Sequence, residues 1–104
     1  MPLTGKWSLA YRRGMADVFK ALADETRRII LDELAERDGQ SLFELCSRLS
    51  MRHGIGSSRQ AISQHLVVLE EAGLVESRRV GRTKVHTLRT APLREIVERW
   101  PMTD

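Results

Sequence analysis

Cysteine occurs once, at Cys46. No intrachain disulfide can form, and one subunit cannot build a cysteine-based metal cluster, so a reducing compartment suits the chain. No apolar run approaches the ~20 residues needed to cross a bilayer, and the first residues lack the apolar stretch of a secretory signal. Membrane and export readings are set aside, and the cytoplasm is the expected location. Histidine is scarce: His53, His65 and His86 are scattered, and separated imidazoles without thiolate partners do not make a zinc site within one chain. A metal site shared between two subunits stays open. A glycine-rich phosphate cradle, a nucleophile elbow and a metal-hydrolase motif are all missing. Ser63 and His65, two positions apart, fall on different sides of a helix rather than forming a nucleophile and its base. The expectation is a protein that is not an enzyme and carries no cofactor or metal.

What is present is one domain's worth of an ordinary water-soluble protein: 104 residues, 41% hydrophobic and 30% charged. A chain of this size buries somewhat over ~60% of the surface it exposes when unfolded, so its core is small and a second copy would help to cover apolar surface. The net charge of +3 is unevenly spread, with +3 in residues 1–15, −4 in 16–45, +1 in 46–75, +4 in 76–89 and −1 in 90–104. Acidic helices beside a compact basic segment point to a polyanion met by one particular surface. On charge alone, a merely solvated face accounts for the pattern equally well.

No internal repeat or low-complexity tract interrupts the chain, and its breakers divide it into helix, helix, helix, helix, hairpin, helix. Residues 1–14 read as an arm, with a helical stretch near Trp7 to Tyr11 left open, 15–100 as the folded domain and 101–104 as a tail. A short helix from Met15 to Leu22 offers Val18, Phe19 and Leu22 as its apolar face. Asp24 is suited to cap a helix from Glu25 to about Arg37, with Ile30, Leu31 and Leu34 inward. Ser41 followed by Glu44 makes a capping box for a third helix, whose inward positions are Leu42, Leu45, Cys46 and Leu49. Cys46 thus reads as a small buried hydrophobe. Met51 to Gly56 reads as a connector. Ser57 with Gln60, or Ser58 alone, can cap a fourth helix running to about Ala72, with Ile62, Leu66 and Leu69 buried and Gly73 at its end. Val75–Val80 and Thr83–Leu88 are β-prone runs joined at Gly81, which supplies the positive φ of a tight hairpin. A last helix starts at Pro92, presents Leu93, Ile96, Val97 and Trp100, and stops at Pro101.

Two helices joined by a turn, the second with a polar, acid-poor first half, followed at once by a basic hairpin, have the layout of a winged helix-turn-helix. The expected fold class is mainly α (α+β), with five helices and a two-stranded β-hairpin wing. The fourth helix can set Arg59, Gln60, Ser63 and Gln64 against base edges in a major groove, where guanidinium, amide and hydroxyl groups match the donor and acceptor pattern of bases. Arg79, Arg82 and Lys84 surround the hairpin tip and can reach phosphates or a neighbouring minor groove, adding salt-dependent affinity that carries little sequence information. Ser57 and Ser58, at the helix N-terminus, can donate to a phosphate as well as cap the helix. The expected partner is double-stranded DNA. The rival reading is a winged-helix protein-interaction module whose basic surface meets an acidic partner.

Leu22-Ala23-Asp24-Glu25-Thr26-Arg27, Ile30-Leu31, Ile62-Ser63-Gln64-His65-Leu66, Leu69-Glu70-Glu71-Ala72-Gly73-Leu74-Val75 and Arg78-Arg79-Val80-Gly81-Arg82 occur in that order. Together they closely resemble the ArsR-type family of bacterial and archaeal transcriptional repressors over about residues 15–100. The resemblance implies a winged-helix homodimer, paired through its first and last helices, that binds an imperfect palindrome in a promoter and blocks transcription. By position it implies recognition residues Ser58, Arg59, Gln60, Ser63, Gln64 and His65, and a wing at Arg79, Arg82 and Lys84. The chain departs from metal-sensing members, which carry a cysteine pair after a Glu-Leu: here Glu44-Leu45-Cys46 is followed by Ser47 and Arg48. The histidines of the other familiar sensor site are missing from Pro92 to Trp100. The connector before the fourth helix is also longer than the usual turn.

Val18, Phe19, Leu22, Leu93, Ile96, Val97 and Trp100 are too many apolar groups for a monomer of this size to leave exposed, and they are expected to form a two-fold interface. Trp7 and Tyr11 can extend it, bind a ligand, or belong to a plain tail. No residue names a small-molecule inducer, although one is compatible with the reading.

Overall fold

The computed structural model describes the backbone of residues 9–103 and the side chains of residues 14–103. Within it the elements are α1 (Leu9–Leu22), α2 (Glu25–Glu36), β1 (Gln40–Ser41), α3 (Leu42–His53), α4 (Arg59–Glu71), β2 (Val75–Val80), β3 (Thr83–Leu88) and α5 (Ala91–Arg99). The fold is an α+β winged helix-turn-helix.

Helix starts follow from side chains that satisfy the unpaired N–H groups of a first turn. Asp24 accepts from Arg27 N at 3.0 Å. Ser41 and Glu44 form a reciprocal capping box at 3.1 and 3.0 Å. Ser58, rather than Ser57 with Gln60, caps α4 by accepting from Ala61 N at 3.1 Å. The α4 end is closed by Gly73 at φ +76°, with Gly73 N donating to Glu70 O at 2.9 Å and Leu74 N to Leu69 O at 3.0 Å. This is the paired bonding of a Schellman end, with Leu69 and Leu74 both buried beneath it.

Ile30 and Leu34 of α2, Leu45 and Leu49 of α3, Ile62, Leu66 and Leu69 of α4, and Leu74 after it make the centre of the core, joined by Val18 and Ala21 of α1. Burial of each large side chain stabilises the fold by about 1.5–3 kcal/mol before entropy is counted.

Several expectations are corrected. α1 starts at Leu9 and runs through Gly14 without a break, so the first helix begins well before Met15. The side chains of Trp7 and Tyr11 lie outside the described residues. α3 continues to His53 and ends at Gly54, φ +66°, so half of the expected connector is helical. The hairpin belongs to a three-stranded antiparallel sheet in the order β1-β3-β2, because Gln40 pairs with His86 and Ser41 with Val85. A two-residue strand has no periodicity to read.

Val18 is only 2% exposed and is spent on the chain's own core, which removes it from the surface set expected to meet a second copy. Leu22, Leu93 and Ile96 are half-buried against that core. Phe19, Val97 and Trp100 stay exposed, and the Phe19 and Trp100 rings lie 6.4 Å apart between centroids.

Candidate nucleic-acid interface

With Ile62, Leu66 and Leu69 turned inward, the periodicity of α4 leaves Arg59, Gln60, Gln64 and Val67 exposed. The first turn carries no acid, so its unpaired N–H groups and the positive end of the helix dipole are unopposed. Ser57 is exposed in front of it. Ser58 uses a lone pair as the cap and keeps its own O–H to donate. Arg59 leans toward α3, its guanidinium carbon 5.8 Å from the centroid of the Phe43 ring, a cation–π distance. Ser63 is half-buried at the wing side of the helix, in a cleft of about 210 Å³ that it shares with Glu70, Lys84 and His86.

The wing presents Arg79, Arg82 and Lys84 to solvent around Gly81, whose φ is +65°. None of the three is ion-paired with a carboxylate among the described residues. Arg89 at the foot of the hairpin is paired instead, with Glu76 on the neighbouring strand. Inside the sheet, His86 is 4% exposed and its Nδ1 lies 2.8 Å from Ser77 Oγ. Burial holds the His86 imidazole below the usual histidine range, and so neutral.

His65 is placed differently from Gln60 and Gln64. Its Nδ1 faces Arg27 Nη1 at 3.2 Å and Asp24 Oδ2 at 3.9 Å, so it turns toward α2 and away from the exposed face of α4. The resemblance set it among the recognition residues and its position also suited a local hydrogen bond or a phosphate contact; the structure gives it a hydrogen-bond partner on α2.

The profile of the family described as a helix-turn-helix domain matches residues 22–78. A relative in Bacillus subtilis, the uncharacterized HTH-type transcriptional regulator YuzN, is 48% identical over 83 residues, which is 80% of this chain and 90% of that one. The transcriptional repressor SdpR of the same organism is 31% identical over 83 residues, 80% of this chain and 84% of its own. A solved ArsR-like transcriptional regulator from a Rhodococcus species aligns with a TM-score of 0.74 at 38% identity, over 89% of this chain and 79% of that one. The chain belongs to the ArsR-type winged helix-turn-helix regulators.

In this ArsR-type regulator Cys46 is half-buried, and burial pushes its thiol up from the ordinary value despite the Arg59 charge nearby. A thiol held protonated is a poor nucleophile and a poor metal ligand. Among the described residues no group of three His, Cys, Asp or Glu side chains is set to hold an ion, and no helix is long and apolar enough to cross a membrane.

Some structurally important residues were missed by the sequence reading. Glu33 is 1% exposed, accepts from Arg48 Nε, and has His53 Nε2 at 2.9 Å and Arg52 Nη1 at 3.8 Å. Burial alone would raise its carboxyl pKa. The hydrogen bonds from His53 and Arg48 and the charges of Arg48 and Arg52 outweigh that and hold it below the usual range. The cluster ties the last turn of α3 to α2, directly before the connector to α4. Gln40, fully buried, donates to Glu33 O at 3.2 Å and Arg37 O at 2.7 Å. The one available hint was charge spacing: acids at 33 and 36 on one helix, with cations at 48 and 52 on the next.

Proposed function

We propose that this regulator is a homodimeric, non-enzymatic repressor acting in the cytoplasm, and that it binds a palindromic operator in a promoter as a two-fold pair of winged helices. Arg59, Gln60 and Gln64, with Ser63 beside them, read base edges in the major groove. Ser57 and Ser58 hold a phosphate at the helix N-terminus, while Arg79, Arg82 and Lys84 contact the backbone or an adjacent minor groove. The carrying observation is a helix exposing Arg59, Gln60 and Gln64 next to a wing on which Arg79, Arg82 and Lys84 have no carboxylate ion-pair partner among the described residues. A face of that charge and chemistry fits DNA.

Homodimer formation rests on Phe19, Val97 and Trp100, which the described chain leaves exposed, with Leu22, Leu93 and Ile96 half-buried beside them. An isologous pairing through α1 and α5 would set two copies of α4 one DNA turn, ~34 Å, apart. An effector that releases the operator acts by binding the DNA-competent and incompetent dimers unequally.

The test is fluorescence anisotropy of the protein on its own upstream promoter duplex and on a scrambled duplex, across a salt series, with Arg59→Ala in parallel and transcription from the promoter measured in vitro. Tighter promoter binding that needs Arg59, weakens steeply with salt and lowers transcription supports the reading. Raised transcription would overturn the repressor part. No binding to either duplex at low salt would overturn the DNA partner and favour a protein-interaction module.

A further inference from the structure

The last carbonyls of α1 have no partners within their own helix, and two arginines of α2 supply them. Arg27 Nε donates to Ala21 O at 2.9 Å and Arg27 Nη2 to Lys20 O at 3.0 Å, while Arg28 Nη1 donates to Leu22 O at 2.7 Å. Arg27 has one more direction to offer, and Nη1 points at His65 Nδ1 on α4, 3.2 Å away. The backbone N–H of Arg27 is itself fixed by Asp24. One planar guanidinium therefore holds the end of α1, the start of α2 and the middle of α4 in a single arrangement.

A guanidinium has only donors and does not lose its proton in proteins. As the hydrogen bond with Arg27 requires, Nδ1 of His65 accepts and the ring hydrogen sits on Nε2; the Asp24 carboxylate, 3.9 Å from Nδ1, lies beyond hydrogen-bond reach. Ile62, Leu66 and Leu69 seat α4 on the core. The Arg27–His65 bond adds a directional restraint on the roll of α4 that non-directional apolar contacts do not supply. A roll of α4 moves Gln60 and Gln64 along the groove floor, so the bond bears on base reading without touching a base.

We infer that His65 is a positioning residue for DNA recognition, acting through Arg27 to hold α4 in register with α1. The inference rests on the DNA-reading role of α4 given above. It also connects α1, whose exposed Phe19 lies on the expected face between copies, to the reading helix by one side chain.

The experiment combines two readouts on the intact protein. In the first, long-range nitrogen–proton NMR of the free protein reads the tautomer of His65, with the Nε2–H form expected in the native chain and lost in Arg27→Lys. In the second, anisotropy on the upstream promoter duplex compares His65→Leu, His65→Asn, Arg27→Lys and the double variant Arg27→Lys/His65→Leu, each at a temperature where thermal melting shows it folded. His65→Leu should lose about tenfold or more in affinity, the scale of one charge-assisted hydrogen bond, with an unchanged salt slope. His65→Asn, which keeps an acceptor near the place of Nδ1, should recover most of the loss. The double variant should be no worse than the poorer single one, because the pair acts as a unit. A salt slope reduced by about one in His65→Leu would instead show a direct phosphate contact and overturn the inference. So would equal losses in His65→Leu and His65→Asn, additive losses in the double variant, or the Nδ1–H tautomer in the native chain. A native protein that binds no duplex would defeat the DNA-reading role, and the inference with it, even where NMR finds the expected tautomer; the tautomer result separates that outcome from absence of the bond itself.

Discussion

The Arg59 guanidinium carbon stands 5.8 Å from the Phe43 ring centroid, so the first residue of α4 is braced by the helix before it. Phe43 is 65% exposed, far more than a core residue would be. The ring narrows the positions open to a long, flexible cation and so lowers the entropy lost when that cation meets a base. Phe43→Ala should weaken promoter binding about two- to fivefold, in line with an exposed cation–π contact of ~0.5–1 kcal/mol, and leave scrambled-duplex binding nearly unchanged. Arg59→Ala should cost ~1–3 kcal/mol of discrimination. Anisotropy on the two duplexes checks both; equal losses on promoter and scrambled DNA from Phe43→Ala would show that the ring does not aim Arg59 at bases.

Wing cations act through phosphates in this reading, and phosphate contacts are sequence-blind. Arg79→Ala, Arg82→Ala and Lys84→Ala should each weaken promoter and scrambled duplexes alike, and each should reduce the salt slope of log affinity by about one. A variant that changes the ratio between the duplexes at constant slope would move that residue from backbone to base contact.

Acid should destabilise the protein in two stages. His86 is kept neutral by burial, so the unfolded chain takes up its proton first. The stability this neutral form provides is complete above the unfolded histidine value of ~6.5 and is lost as pH falls below it. Glu33 is held low against its burial by His53 and Arg48, Asp24 by the backbone N–H of Arg27, and Glu44 by that of Ser41. Their stability is present above the unfolded carboxylate values of ~4 and is lost as pH falls through the lowered folded values. Urea midpoints between pH 8 and pH 3 should show both stages. Glu33→Gln should cost about 1.5–3 kcal/mol at neutral pH, the scale of a lost charge-assisted hydrogen bond, because the cations left behind are partly exposed, and should shrink the acid stage. A midpoint in this variant equal to the native one at pH 7 would remove Glu33 from the stability of α3.

Phe19 and Trp100 are 43% and 56% exposed, so changing them leaves the core in place. Phe19→Ser with Trp100→Ser should convert a dimer to a folded monomer at micromolar concentration, followed by sedimentation velocity and circular dichroism, and should weaken promoter binding by at least tenfold as the second half-site contact is lost. A native chain that sediments as a monomer throughout would discard the pairing.

Local signals were legible and long-range ones were not. The strand limits Val75–Val80 and Thr83–Leu88 agree with the sequence reading residue for residue, because alternating β-prone residues on either side of Gly81 state both register and turn. The capping box at Ser41 and Glu44 and the cap at Asp24 were equally plain, since each is completed within four residues. β1 was missed because its two residues are a strand only by virtue of β3, some forty-five positions later. The inward turn of His65 depends on Arg27, thirty-eight positions earlier, and the family resemblance that put it among the recognition residues carries nothing about α2. Val18 was read as surface because the apolar positions of the first and last helices were counted together, and that count does not say which of them the chain's own core covers.

The short strand β1 has a mechanical consequence. Gln40 and Ser41 join the middle of β3 to the first turn of α3, and at the foot of the hairpin Asp38 Oδ1 accepts from Leu88 N at 2.8 Å. Hairpin and helix pair are mounted on one frame, so on the proposed reading the distance between the two grips on a duplex is set by the protein rather than adjusted to each sequence. A single base pair inserted between those places turns the helix by about 34° and lengthens it by ~3.4 Å. On that reading the molecule would gauge groove phase as much as read bases, and two sites of identical composition but different spacing would be different targets to it.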